Sequence, residues 1–199
     1  MDLTFRDLMG ALSVAIALFS YALYVWKTLR AQARPHPLSW LIFGVLSGTG
    51  FLIQRDAAAG PGSWVMGVTA AVCLMLCLIG LRQGERSFPW YEWAFLAAAA
   101  IVFAFYLVSR QPALSAMLAS IVNMLGFGPT LTKAWARPYS DSSATFTLNG
   151  LKFVPSLFAM DTVSIATCVL PASLVVTNLA VALTIVLRRR NEMLHPASR

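Results

Sequence analysis

Charged side chains are scarce in this sequence of 199 residues. They make up 12% of it, with only 8 acidic residues, against roughly a quarter in an ordinary soluble domain. A water-soluble globule is therefore not expected, and neither is a disordered chain, because too little of the sequence prefers water. Histidine occurs twice, as His36 and His195, and neither has a carboxylate or cysteine at metal-ligand spacing, so no metal site is expected. A Gly-rich phosphate loop and a Ser-His-Asp set are both missing. No enzyme chemistry and no cofactor are expected. Three cysteines cannot make a full disulfide framework. Cys73 and Cys77, one helical turn apart in an apolar run, are expected to pack as small apolar side chains. Polar stretches stay below about a dozen residues, which leaves no room for a separate soluble domain.

Apolar runs fill the chain instead. Hydrophobic residues reach 58% and the mean hydropathy is +0.70. A helix needs about 20 mostly apolar residues to cross roughly 30 Å of hydrocarbon. Seven segments meet that length or approach it: 8–28, 38–54, 63–82, 90–109, 113–133, 144–160 and 168–188. The second and sixth are short and are expected to borrow interfacial residues or stand upright. Asp2 and Asp7 replace the basic start of a secretory signal, so the first run is read as a span and not as a cleaved leader.

Fifteen lysines and arginines give a net charge of +7. In a soluble protein that excess would suggest nucleic acid; here the basic residues sit in short breaks between apolar runs, so they report topology and no nucleic-acid partner is expected. With the N-terminus outside, the inner side receives Lys27, Arg30, Arg34, Arg82, Arg86, Lys133, Arg137, Arg188, Arg189, Arg190 and Arg199, and the outer side receives Arg6, Arg55 and Arg110. The positive-inside rule thus predicts N-out, C-in and an odd number of spans in the cytoplasmic (inner) membrane. Trp90, Tyr91 and Trp93 open the fourth segment as an interfacial belt.

An offset of 106 residues overlays the first three segments on the last three without a gap. Lys27 falls on Lys133, Ser39 on Thr145, Trp40 on Phe146, Gly44 on Gly150, Leu81 on Leu187 and Arg82 on Arg188. Residue identity across the overlay is poor; what matches is the register of three helices and their loops. Three spans plus one linker span leave both halves facing the same way, a parallel repeat of the kind used by transporters that hold substrate near the midplane. The expected fold is all-α: two parallel three-helix bundles in a 3+1+3 order, with residues 1–86 as the first bundle, 87–110 as the linker helix, and 111–199 as the second bundle with a basic tail. Similar loops alone would also give a seven-span chain some self-overlap.

The residues Gly126-Phe127-Gly128-Pro129-Thr130-Leu131-Thr132-Lys133, followed by Ser140 to Thr145 at the start of the next segment, resemble the PQ-loop pattern. In that pattern a proline and a glutamine near the inner end of a helix precede a basic residue, a polar loop and a Ser/Thr-led helix. The first half offers Leu23-Tyr24-Val25-Trp26-Lys27 and then Pro35-His36-Pro37-Leu38-Ser39-Trp40. The glutamine is replaced by Tyr24 and Thr130, and the proline survives only as Pro129. The resemblance is to the PQ-loop superfamily, which includes the SWEET sugar transporters. It implies seven spans in two bundles, N-out and C-in, alternating access, and a hinge at Pro129, where a backbone hydrogen bond is lost.

Lys152 is the residue that stands out. It lies eight residues after Ala144 and nine before Asp161, near mid-bilayer at about 1.5 Å per residue. An ionisable group there costs a few kcal/mol or more unless it faces protein or a wet cavity. It either lines a solute pocket, is tied to helix-end carbonyls, or snorkels outward along its stem. No acidic residue sits at comparable depth, which points to an exogenous anion or a depressed proton affinity. Asn149 shares its helical face, while Asn178 and Asn123 lie at similar depth in the seventh and fifth segments. These four residues either converge on one solute site or, for the asparagines, bond helix to helix. By the resemblance, Asn178 matches the asparagine that faces substrate in the last helix of a bundle; its first-half counterpart is Val72. Trp40 is read as an interfacial anchor rather than a stacking surface. Pro155 and Pro171 are expected to bend the sixth and seventh segments. Gly44 and Gly48 make a small-residue stripe for close packing, within the chain or in a homo-oligomer. The expected function is a transporter of a small polar solute (a sugar, amino acid or vitamin), with a non-transporting receptor on the same scaffold as the alternative.

Overall fold

The computed structural model describes residues 4–30, 35–83, 89–139 and 142–194. Asp2, Arg34, Arg86, Ser140, His195 and Arg199 lie outside the described residues. Every regular element among the described residues is helical. In chain order they are α1 (Phe5–Leu29), α2 (Pro37–Asp56), a short 3-10 turn (Gly60–Ser63), α3 (Trp64–Gln83), α4 (Trp90–Ser109), α5 (Pro112–Gly126), α6 (Gly128–Ala136), α7 (Ser143–Leu151), α8 (Phe153–Phe158) and α9 (Ile165–Leu194). Six stretches are long and apolar enough to cross a bilayer: Phe5–Trp26, Pro37–Asp56, Gly60–Arg82, Trp90–Ser109, Pro112–Ala136 and Ile165–Met193. The architecture is compatible with an α-helical integral membrane protein.

The sixth segment is the exception. It is two short helices, α7 and α8, meeting at Lys152. A bend had been expected at Pro155, and the interruption falls three residues earlier. Proline has no N–H for the carbonyl of Leu151, and its ring crowds that carbonyl, so the turn preceding it loosens. The same physics divides the fifth segment. Pro129 cannot donate to Leu125, and α5 gives way to α6 at Phe127. Pro171, by contrast, sits inside an unbroken α9.

Side chains are distributed in the reverse of a soluble bundle. Helix α1 exposes Leu8, Leu12, Phe19 and Leu23 and buries Ser13, Ala17, Ser20 and Tyr21. Small and polar residues meet between helices, as they do where the outer solvent is itself apolar. Helix α3 packs against both α1 and α2, and α9 against both α5 and α7. The two sets meet where α1 touches α7 and α8 and where α2 touches α5, while α4 leans on α2 and α5. The Gly44 and Gly48 stripe is spent inside the chain. A Cβ on Gly44 would come within 3.1 Å of the Leu74 side chain and one on Gly48 within 3.8 Å of Ala70, so the stripe is what lets α2 lie close on α3.

The two ends of the bundle differ. At the end that carries Arg6, Arg55 and Arg110, the chain is stitched shut. The N–H of Gly62 donates to the Ala159 carbonyl (3.1 Å) and the N–H of Asp161 to that of Ala59 (3.0 Å). Arg6 meets Asp161 at 3.1 Å. Gly60 takes a positive φ of 61° with the Asp161 carboxylate beside it, a position that only glycine fills without strain. The Tyr106 hydroxyl donates to Asp56 and ties α4 to α2 at the same end. At the basic end, Arg188 and Arg189 donate to the carbonyls of Trp135 (3.1 Å) and Pro138 (2.9 Å), where α6 ends, the favoured place for cations on a helix C-terminus.

Candidate functional site

A cavity of about 280 Å³ lies between the two sets of helices. Tyr21 (α1), Trp40, Phe43 and Ser47 (α2) and Thr69 and Cys73 (α3) form one wall. Phe127, Thr130 and Lys133 (the α5–α6 arm), Phe146, Asn149, Lys152 and Phe153 (α7 to α8), and Leu174 and Asn178 (α9) form the other. Its wall includes Trp40, four residues after the N-cap His36, and Lys133, in the last turn of α6. Nothing on the wall comes from the stitched end, so the cavity lies towards the basic end.

Lys152 is 2% exposed and does not snorkel. The break between α7 and α8 places it at a helix junction. Its backbone carbonyl accepts from Ser13 Oγ at 2.6 Å, a bond that fixes the junction against α1. Its ammonium donates to the Tyr21 hydroxyl at 2.7 Å and reaches Asn149 Oδ1 at 3.5 Å. The same ammonium stands 4.3 Å from the Tyr21 ring centroid and 5.0 Å from that of Phe153, within range of cation–π attraction. Tyr21 in turn lies 3.9 Å from Cys73 Sγ. No carboxylate among the described residues pairs with this lysine.

Three of the four residues expected to form a site share this cavity: Lys152, Asn149 and Asn178. Asn149 Oδ1 also accepts from Ser20 Oγ at 3.4 Å, so α1 and α7 hold it from both sides. Asn178 donates one amide proton back to the Leu174 carbonyl (2.8 Å), which fixes its rotamer and leaves its oxygen for other partners. Asn123 is different. It lines an adjoining space of about 350 Å³ between α2, α4 and α5, and its amide reaches Ser173 (3.4 Å) and Thr177 (3.5 Å) on α9. That is helix-to-helix bonding between α5 and α9. Pro129 also lines the adjoining space, together with Glu92, Thr130 and Lys133.

Sequence reasoning missed the first-half wall. Trp40, read as an anchor, is half-buried and packs edge-on against Tyr24 (centroids 5.0 Å) and Tyr21 (6.4 Å). Cys73 packs in the core as expected and also faces the cavity. Tyr21 carried a readable signal. Ser13, Ala17, Ser20 and Tyr21 recur at three- and four-residue spacing along an otherwise apolar helix, the mark of a face turned to protein. The repeat offset pairs Asn178 with Val72, whereas α3 presents Thr69 and Cys73 to the cavity. His36 meets a carboxylate only through the fold, with Nδ1 3.2 Å from Glu92 Oε2. Among the described residues no three His, Cys, Asp or Glu side chains gather as metal ligands.

No family model matches the chain, and no curated protein or solved structure matches it either.

Proposed function

We propose that this chain is an integral membrane transporter of small solutes, built on the 3+1+3 plan of the PQ-loop type and working by alternating access. The observation that carries the reading is the cavity. It is walled by helices from both halves, holds a buried ammonium, and lies beyond a stitched end and towards a basic one. Several features support the plan. In each half the third helix lies against the first and the second: α3 on α1 and α2, α9 on α5 and α7. The halves meet through α1 with α7 and α8, and through α2 with α5, the reciprocal contacts a two-fold repeat requires. Helices α2 and α7 begin at Pro37 and Ser143, with N-caps at His36 and Ser142, which agrees with the offset found in the sequence. Helix α4 is the linker. With the basic end in the cytoplasm, the conformation is inward-facing, N-out and C-in. The arm broken at Pro129 is the moving part.

The test is uptake and counterflow in proteoliposomes across sugars, amino acids and vitamins. Flux of at least one solute, lost in Lys152→Met and reduced in Asn178→Ala, is expected. Flux that ignores both substitutions removes the site. Ligand binding without flux selects a receptor in place of a transporter.

A further inference from the structure

The cavity has charge of one sign. The charged side chains on its wall, Lys152 and Lys133, are both basic, and no aspartate or glutamate among the described residues lines it. Six wall residues are aromatic: Tyr21, Trp40, Phe43, Phe127, Phe146 and Phe153. We infer that the solute of this site is a small organic monoanion, an aryl or similarly flat apolar body carrying one carboxylate, with the carboxylate on Lys152. The inference rests on the cavity being the solute site, as proposed above.

Each alternative class meets a specific obstacle. A cation would face the buried ammonium of Lys152, with no carboxylate on the wall among the described residues. A zwitterionic amino acid satisfies Lys152 with its carboxylate, but its ammonium then needs a carboxylate, and none lines the cavity among the described residues. A sugar must exchange water for a protein partner at every hydroxyl, or lose on the order of 1–3 kcal/mol for each one left unmatched. The five Trp and Phe side chains on the wall supply few such partners, so Ser47, Thr130, Asn149 and Asn178 would have to match each hydroxyl in turn. An aryl carboxylate needs one strong charge-assisted contact and apolar neighbours for its ring; Lys152 and the aromatic side chains on the wall are of those two kinds. The ammonium has three protons. The Tyr21 hydroxyl takes one at 2.7 Å, and Asn149 lies at 3.5 Å, long for a full bond. At least one proton is left for a carboxylate oxygen, and the anion supplies the charge that the buried ammonium lacks. Thr69, buried on the same wall, carries a hydroxyl that can donate to the second carboxylate oxygen. At about 280 Å³ the space is at the low end of ligand pockets, which run from roughly 300 Å³ upwards. The solute is therefore a single-ring molecule or close to it.

The test uses the full chain in lipid nanodiscs and matched acid–amide pairs: benzoate with benzamide, 3-phenylpropanoate with 3-phenylpropanamide, and indole-3-acetate with its amide. Acetate serves as the anion without a body. Binding is read by titration calorimetry and by quenching of tryptophan fluorescence, to which Trp40 contributes. At least one aryl acid is expected to bind ten-fold or more tighter than its amide and than acetate. Lys152→Met brings acid and amide to within two-fold of each other, and Phe146→Ala weakens both. Equal binding of acid and amide overturns the inference, as does failure of all three acids to bind at millimolar concentration. Because the pairs are compared on the unaltered chain, the outcome does not depend on a variant folding. Flux is measured separately. Acid binding without counterflow keeps the anion site and removes the transporter; counterflow of a neutral solute with no acid binding does the reverse.

Discussion

Lys152 and Tyr21 form the shortest contact between two side chains at the site. The hydroxyl accepts from the ammonium at 2.7 Å while the ring lies 4.3 Å away, so one side chain provides both a lone pair and a π-face. Tyr21→Phe keeps the face and removes the lone pair. It leaves a buried ammonium short of a partner, which costs about 1–3 kcal/mol. A lower denaturation midpoint in detergent is the expected result. In a Lys152→Met background the same change has no charge to strand, and its cost falls below about 0.5 kcal/mol, so the cycle reports coupling. Lys152→Met alone is expected to leave stability unchanged or raised, because replacing a buried charge by an apolar side chain of similar length removes a desolvation penalty. Equal costs for Tyr21→Phe in both backgrounds would break the link between the two residues. Lys152, Asn149 and Asn178 were legible in the sequence because rare polar residues in apolar runs announce themselves. Trp40, Thr69 and Cys73 were not, since aromatic, threonine and cysteine side chains are ordinary tenants of helix interfaces and only the fold tells which face they turn. The spacing of Ser13, Ala17, Ser20 and Tyr21 marked a buried face but not the contact with Lys152.

At the scale of elements, two segments of comparable hydropathy are broken and one proline-bearing helix is not. Runs of about 20 apolar residues reveal where helices lie, and six of the seven expected segments are single stretches of that kind. The break at Lys152 was not legible. A proline frees a carbonyl four residues back, but whether the helix bends or divides depends on who satisfies the freed groups. In α9, Pro171 follows Leu170, which is 2% exposed and packed in the central core, and the helix runs through. At Lys152, Ser13 Oγ binds the junction carbonyl from another helix. The Pro129 break has an exposed flank, with Gly128 and Pro129 both open. Pro129→Ala restores a donor for Leu125 and lets α5 and α6 fuse. If the arm is the moving part, the substitution raises thermal stability and slows flux several-fold while changing solute affinity by less than two-fold. Unchanged flux with raised stability would make the break a packing feature with no share in transport.

For the whole molecule, the asymmetry between its ends is the feature that a transport cycle would invert. The stitched end is held by two backbone bonds and the pair Arg6–Asp161, whose side chains are 51% and 46% exposed. An ion pair that open is worth about 1 kcal/mol at most, or about a five-fold change in the ratio of two states. In the proposed cycle such a pair is weak enough to open at each turn and strong enough to bias the two states. Thr130 lies on the wall of both spaces at the other end, so a cysteine placed there, with Cys73, Cys77 and Cys168 changed to serine, reports access. An impermeant thiol reagent is expected to label it from the side of the basic end and only slowly from the other. Arg6→Ala with Asp161→Ala should slow labelling from the basic side and speed labelling from the opposite side, each within about five-fold. The reciprocal change is the point of the measurement. Faster labelling from the opposite side with no loss at the basic side would describe a leak through a loosened end, and two-state exchange around one cavity would then be the wrong description of this fold.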